Sequence, residues 1–150
     1  MKKALKRTLF VGEFQHSVDE KKRLAIPAKW RAAVSGTQEF YVLPVPEDHL
    51  YVVPESDMEE FLARLGKVSI GEYERRDALR LIAGGAQGTP VDKQGRILLT
   101  EKLLRHAGIQ GEAVLVGVFT WFEIWSPAKY EKVNTKSAVN FAESAKQLGI

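Results

Sequence analysis

Basic side chains are concentrated in one short stretch near the start of the chain, and few acidic residues oppose them. The basic residues are Lys21, Lys22, Arg23, Lys29 and Arg31, and the acidic neighbours are Asp19 and Glu20. An arginine guanidinium can donate two hydrogen bonds to a guanine edge, whereas a lysine ammonium attracts phosphate without reading sequence. The stretch therefore predicts contact with nucleic acid.

A second group of the same kind lies in the other half of the chain, where Lys93 and Arg96 follow Asp92. In both groups an aspartate precedes the arginine by four positions, as Asp19 precedes Arg23. Two interpretations stay open for these residues. Either the arginines contact DNA, or each aspartate pairs with its arginine and only fixes a hairpin. The basic neighbours of Arg23 favour DNA contact there more than at Arg96.

The two groups belong to an internal repeat, because Asp92 lies 73 residues after Asp19 and the similarity continues downstream. Val-Asp-x-x-x-Arg precedes an apolar triplet in both copies, and a short helical pattern follows each. We expect a strand, a tight turn, a second strand, a short helix and two more strands in each copy. The turns are expected at residues 19–22 and around Gln94-Gly95, where glycine allows a positive φ.

Each first strand is expected to pair with the next strand across its turn, as residues up to Val18 would with Leu24 and Ile26. Thr100 is a predicted N-cap of the second short helix, and Gly36 is expected to end the first. Longer helices are predicted after a capping box at Ser56–Glu59, over about Glu72–Ala83, and from Ser126-Pro127 towards Leu148. The second of these helices is expected to bury Tyr73, Ala78, Leu81 and Ile82.

The predicted fold class is α+β. The expected divisions are a first repeat at 10–55, a helical linker at 56–84, a second repeat at 85–128 and a C-terminal helix at 129–150. A half of about 45 residues buries too little surface to be stable alone, so the two halves must interlock. The large aromatic residues Trp30, Trp121 and Trp125 are candidates for the core or for subunit contacts.

The two motifs Asp19-x-x-x-Arg23-Leu-x-Ile-Pro27 and Asp92-x-x-Gly-Arg96-Ile-Leu-Leu resemble those of the MraZ family, over almost the whole chain. Leu115-Val-Gly117-x-Phe119-x-x-Phe122-Glu-x-Trp125 adds to the resemblance. It implies two swapped-hairpin half-domains of the SpoVT/AbrB type, intertwined as a pseudo-dimeric barrel with added helices. It also implies a ring-shaped homo-oligomer that binds repeated promoter boxes in double-stranded DNA and regulates, often represses, its own division and cell wall gene cluster.

This sequence departs from the family pattern at Lys22, where glycine is usual, and at Thr100, where proline is frequent. The first turn is therefore expected either to differ in conformation or to use its extra charge on phosphate. Residues 1–9 resemble an N-terminal extension, and its cations are compatible with contact to the DNA backbone or with a frayed end. These cations are Lys2, Lys3, Lys6 and Arg7.

Composition argues against several other classes of protein. The formal net charge is only +3, and the chain lacks cysteine, which excludes disulfides and thiolate metal sites. His16, His49 and His106 lack metal-binding spacing, so we expect no metal, no cofactor, no small-molecule substrate and no enzymatic activity. No apolar run predicts a membrane helix, so a cytoplasmic, nucleoid-associated protein is expected. The alternative function is an antitoxin-like protein-interaction module without specific DNA binding.

Overall fold

The computed structural model describes residues 9–33, 39–69 and 71–150. The strands are β1 (Glu13–Ser17), β2 (Arg23–Ala25), β3 (Glu39–Val45), β4 (His49–Pro54), β5 (Gln87–Pro90), β6 (Arg96–Leu98), β7 (Glu112–Gly117) and β8 (Phe122–Trp125). The helices are α1 (Ala28–Ala33), α2 (Met58–Leu65), α3 (Tyr73–Gly85), α4 (Glu101–Ala107), α5 (Pro127–Val139) and α6 (Phe141–Lys146), and a 3-10 turn at Glu55–Asp57 precedes α2.

Within the described residues, strand pairing interleaves the two repeats in an α+β fold, which confirms that fold class. Six strands form an antiparallel sheet in the order β1-β7-β8-β4-β3-β5, and β2 and β6 form a separate ribbon. The first strand of each repeat pairs with the third strand of the other, and the two second strands pair together. Leu24 lies opposite Ile97 at the centre of the ribbon, and these residues are 73 positions apart. The fold therefore has internal two-fold pseudosymmetry.

The expected pairing of β1 with β2 is wrong. Only an isolated bridge between Val18 and Leu24 joins them, whereas β1 pairs over its whole length with β7. The reason is that exchange pairs the two second strands with each other and gives each third strand a second partner besides its own fourth strand, so β7 has no unpaired edge. No strand pair among the described residues closes the sheet into a barrel, since β1 and β5 lie at its edges.

One apolar cluster joins the sheet, the ribbon and helices α1 and α4. An aromatic group dominates the part of it that surrounds Trp30. The indole of Trp30 lies 5.3 Å from the ring of Phe10 and 4.9 Å from the ring of Phe122, measured between centroids. Trp30 and Trp125 are buried, as expected of core residues. Because both repeats contribute to this cluster, neither half has a complete core of its own.

The helix predictions are confirmed in position and corrected in detail. Thr100 accepts a hydrogen bond from the Leu103 amide as the N-cap of α4, and Ser126 caps α5 through the Lys129 amide. The predicted capping box before α2 is wrong, because the 3-10 turn makes Asp57 the N-cap, without a side-chain capping bond. The last predicted helix is interrupted at Asn140. Gly36, expected to end α1, lies outside the described residues.

Helix α3 buries less of its apolar face than the sequence predicts. It extends through Gly85, beyond the predicted end, and none of its residues is fully buried. Tyr73 and Leu81 are mostly exposed, and only Ile82 of the expected stripe packs on the smaller apolar cluster, which includes Leu43, Val45 and Val53. The helix covers only the β3 end of the sheet, so its apolar face has no full partner layer within the described chain.

Candidate nucleic-acid interface

The two predicted turns are residues 19–23 and 92–96, and they have the same backbone hydrogen bonds. In the first turn the Asp19 amide donates to the Arg23 carbonyl at 3.0 Å, and the Lys22 amide donates to the Asp19 carbonyl at 2.9 Å. In the second turn the Asp92 and Gly95 amides make the corresponding bonds at 2.9 Å each. The repeated sequence motif therefore corresponds to a repeated local structure.

The aspartate side chain fixes each turn. In the first turn, Asp19 Oδ1 accepts from the amides of Lys21 at 2.9 Å and Arg23 at 2.8 Å, and its Oδ2 accepts from Arg23 Nε at 2.8 Å. The hydrogen bond from the Arg23 amide is the main reason that the pKa of Asp19 lies below its ordinary value, and the Arg23 guanidinium adds to this effect. The carboxylate is therefore held ionised in the turn.

Asp92 has the same role in the second turn. Its Oδ1 accepts from the amides of Gln94 and Arg96, and its Oδ2 accepts from Arg96 Nε, all at 2.9 Å. The Arg96 amide is again the main cause that lowers the pKa of Asp92. The pairing of aspartate with arginine is thus present in both turns. In each pair, only the Nε of the arginine side chain donates a hydrogen bond to the aspartate of the same turn.

Lys22 adopts the backbone conformation that glycine adopts in the second turn. Its φ is 64°, and the φ of Gly95 is 80°. The expectation of a different turn conformation is therefore wrong. The reason is that the surrounding hydrogen bonds are the same, including the bond from the Leu99 amide to the Lys22 carbonyl and the bond from the Ile26 amide to the Gly95 carbonyl, both 2.9 Å long.

The ribbon brings the two motif arginines to one place. Asp19 Oδ2, which accepts from Arg23 Nε, also lies 3.8 Å from Arg96 Nη1. Neither terminal nitrogen of Arg23 makes a hydrogen bond within the described part of the chain, whereas Arg96 lies between the two aspartates. The terminal nitrogens of Arg96 also make no hydrogen bond among the described residues, so the two arginines differ only in the second carboxylate that lies near Arg96.

Arg31 lies on the second turn. Its Nη1 donates to the carbonyls of Ile26 at 3.3 Å and Gln94 at 3.4 Å. Its side-chain methylene occupies the space where a Cβ on Gly95 would lie, so this position needs glycine for packing as well as for its positive φ. The geometry gives Arg31 a supporting role on the turn of the opposite repeat, a role that sequence reasoning did not assign.

The remaining predicted cations surround the turns. Lys21, Lys29 and Lys93 are exposed and make no ion pair within the described residues. Lys22 is different, because its Nζ lies 3.8 Å from Glu101 Oε1 at the start of α4. Sequence reasoning missed Glu101, because the contact depends on the exchange of strands between the repeats. The N-terminal cations, Lys2 to Arg7, lie outside the described residues.

The described ranges contain no group of three or more His, Asp or Glu side chains able to hold a metal ion. Across the same ranges, no helix combines the length and the apolar character needed to span a bilayer. His106, which follows Arg105 in α4, has its Nε2 2.9 Å from the Val45 carbonyl, a contact within the fold. We therefore take the paired turns as the candidate site.

Comparison with protein families also finds two repeats in the chain. The family model described as "MraZ protein, putative antitoxin-like" matches twice, at residues 9–81 and 82–148. The chain belongs to the MraZ family. Each match contains one Asp-x-x-x-Arg turn, and the boundary between the matches falls inside α3.

Curated members of the MraZ family are similar over nearly their full length. "Transcriptional regulator MraZ" of Oenococcus oeni is 36% identical over 140 residues, which cover 93% of this chain and 96% of that protein. The protein of the same name from Herpetosiphon aurantiacus is 40% identical over 126 residues, covering 83% and 86% respectively. The one from Desulforamulus reducens is 34% identical over 140 residues, covering 93% and 97%. The resemblance inferred from the motifs is thus confirmed.

Proposed function

We propose that this protein is a transcriptional regulator that binds double-stranded promoter DNA through the two turns of the β2-β6 ribbon. The observation that carries the proposal is Arg23, whose Nε is fixed by Asp19 while its terminal nitrogens make no hydrogen bond within the described residues. A fixed guanidinium with two free terminal nitrogens matches the acceptors of a guanine edge. The names of the relatives support the regulatory role.

The surroundings of Arg23 suit the major groove. A two-stranded ribbon fits into that groove, and ribbons are used for base contact by several classes of DNA-binding protein. In this proposal Arg23 and Arg96 contact bases, and Arg96 contributes less because it is shared between two aspartates. The exposed Lys21, Lys29 and Lys93, together with Lys22, contact phosphate and give the affinity its salt dependence.

The sequence predicts DNA contact for Arg31, and its hydrogen bonds within the fold add a positioning role. Its guanidinium is directed to the carbonyls of Ile26 and Gln94, so we assign it to positioning the second turn for DNA. Asp19 and Asp92 act in the same way on their own turns. The proposed interface thus contains residues that contact the nucleic acid and residues that hold the turns in shape.

We also propose that the protein acts as a homo-oligomer, in the ring form expected for the family, on repeated boxes upstream of its own gene cluster, which it represses. A formal charge of +3 per chain gives modest attraction to DNA. Several subunits on several boxes would increase the overall affinity by about 10²- to 10⁴-fold without new contacts in any subunit. Binding is therefore expected to require more than one box.

The test is a fluorescence anisotropy titration on the DNA upstream of the gene and on a shuffled duplex, at two salt concentrations. We expect preference for the native DNA and weaker binding at the higher salt. Arg23→Ala should remove most of that preference and leave the oligomer intact by size-exclusion chromatography. Arg80→Ala is the matched control, since it removes an arginine that is paired with an aspartate, Asp77, on the exposed surface of α3.

Equal affinity for both duplexes, or an unchanged preference in Arg23→Ala, would contradict the proposal. The first outcome would favour the alternative function, an antitoxin-like interaction module. The term "antitoxin-like" also occurs in the description of the family. In that case the ribbon would be tested next against protein partners. The second outcome would move base recognition to another surface of the same protein.

A further inference from the structure

Lys22 is unusual in its backbone conformation and in its partner. Its φ of 64° is in the left-handed region, which is strained for a residue with a Cβ and free of strain for glycine. Gly95 takes the corresponding position in the second turn, at a φ of 80°. An outlier of this kind at the tip of a proposed binding element suggests that its side chain has a function.

The side chain of Lys22 reaches a carboxylate from the other repeat. Its Nζ lies 3.8 Å from Glu101 Oε1, and the two side chains are 43% and 67% exposed. Glu101 is the first residue of α4, and it also lies 3.6 Å from Arg105. The charge of Lys22 is therefore partly balanced within the protein, unlike the charges of the exposed Lys21 and Lys29.

The second turn has no counterpart of this pair. The positions equivalent to Lys22 and Glu101, 73 residues apart in the chain, are Gly95 and Ala28, and neither residue is charged. Arg31 lies over Gly95 instead and donates to the backbone. The ion pair therefore distinguishes the first turn from the second, although the backbones of the two turns are the same.

We propose that Glu101 is an intramolecular counter-charge for Lys22, which DNA phosphate displaces when the first turn binds. The inference rests on the proposed function and adds Glu101 as a residue that sets the affinity for DNA. In the free protein Lys22 is held by Glu101, and in the complex it exchanges that carboxylate for a phosphate. Because an exposed ion pair contributes little free energy, phosphate can displace Glu101 at low cost. The competing carboxylate nevertheless lowers the affinity for DNA.

A double-mutant cycle on the upstream DNA tests this exchange. Glu101→Gln should lower the dissociation constant at low salt by about two- to five-fold, the range expected of an exposed ion pair. Lys22→Gly should weaken binding and reduce the magnitude of the salt slope by about 0.9 for each first turn on DNA. In the Lys22→Gly background, Glu101→Gln should have a clearly smaller effect, because its partner is missing.

Three further variants serve as controls. Glu143→Gln removes the same charge from a 3.8 Å pair with Lys146 on α6, and should leave the affinity unchanged. Lys22→Gln removes the charge of Lys22 without the backbone freedom of glycine, and should weaken binding as Lys22→Gly does. Arg105→Gln tests the second neighbour of Glu101, and the gain from Glu101→Gln should persist in its presence.

An equal gain from Glu101→Gln with and without Lys22 would overturn the proposal, because it would indicate general repulsion between Glu101 and DNA. The absence of any gain would overturn it as well. These outcomes leave the proposed function standing if the wild-type protein prefers its own DNA and Arg23→Ala loses that preference. Failure of the wild-type protein to bind DNA would overturn both proposals.

Discussion

The two turns of the ribbon differ in what supports them, although their hydrogen-bonded backbones are the same. In the first turn, Lys22 is strained and its ammonium faces Glu101 on α4. In the second turn, Gly95 is unstrained and Arg31 of α1 covers it. In both cases the support comes from the opposite repeat. The internal repeat thus sets the shape of both turns, while side chains outside the motif make them unequal.

The same inequality occurs in the core. Trp30 of α1 is surrounded by the rings of Phe10, Phe14 and Phe122. The residue 73 positions later is Leu103 of α4, which is equally buried but aliphatic. The packing around Trp30 therefore depends on large rings from both repeats, including Phe122 of the second, whereas the equivalent position in α4 holds an aliphatic side chain.

The largest effect is expected from Trp30→Ala. It removes the ring contacts and the hydrogen bond from the indole to the Val11 carbonyl, and we expect a loss of about 3–5 kcal/mol in the free energy of unfolding. Leu103→Ala should cost less than Trp30→Ala, within the usual range of about 2–5 kcal/mol for such truncations. Urea unfolding monitored by far-UV circular dichroism, which does not depend on tryptophan fluorescence, measures the free energy of unfolding of both variants.

Because the repeats share one core, each variant should unfold in a single transition. Arg80→Ala, on the exposed surface of α3, is the control and should change the free energy by less than about 0.5 kcal/mol. Two separate transitions, or a greater loss in Leu103→Ala than in Trp30→Ala, would contradict this account of the core.

Gly95→Lys makes the second turn resemble the first in sequence, and it should be destabilising. The left-handed conformation costs a lysine about 1–2 kcal/mol, and displacement of Arg31 from the turn adds about 1 kcal/mol in lost hydrogen bonds. The free energy of unfolding gives the total. In an Arg31→Ala background the same substitution should cost less, and an unchanged cost would show that Arg31 does not pack on this turn.

The sequence was sufficient to predict the features that depend on neighbouring residues. The two turns, the Thr100 cap and the α+β fold class follow from local patterns, and the repeat revealed that the halves must combine. The pairing of β1 with β7 was not predictable, because it joins residues far apart in the chain and competes with a plausible local hairpin. The support that Arg31 and Glu101 give to the turns depends on that exchange and was therefore missed.

Lys22→Gly tests the strain in the first turn from the other direction. Glycine adopts a positive φ without a Cβ clash, so the substitution should raise the free energy of unfolding by about 1 kcal/mol, partly offset by the greater freedom of the unfolded chain. The urea midpoint should increase at an unchanged denaturant slope. A lower midpoint would mean that the pair with Glu101 contributes more to stability than the strain removes.

The smallest effect is expected from acid, where the two turns should behave alike. The pKa of Asp19 and that of Asp92 are both lowered from an ordinary value of 3.8, chiefly by the arginine amide of the same turn. A carboxyl group with a lowered pKa in the folded state stabilises the protein fully above the unfolded value. That contribution is lost as the pH falls below 3.8 and through the lower folded-state pKa.

Asp19→Asn combined with Asp92→Asn removes this contribution from both turns. We expect the double variant to be less stable than the wild-type protein at neutral pH and to lose stability less steeply with acid below pH 3.8, as measured by urea unfolding across that range. Each single variant should show part of the change. If only Asp19→Asn altered the acid profile, the second turn would not depend on its aspartate, and the shared backbone would need another source of support there.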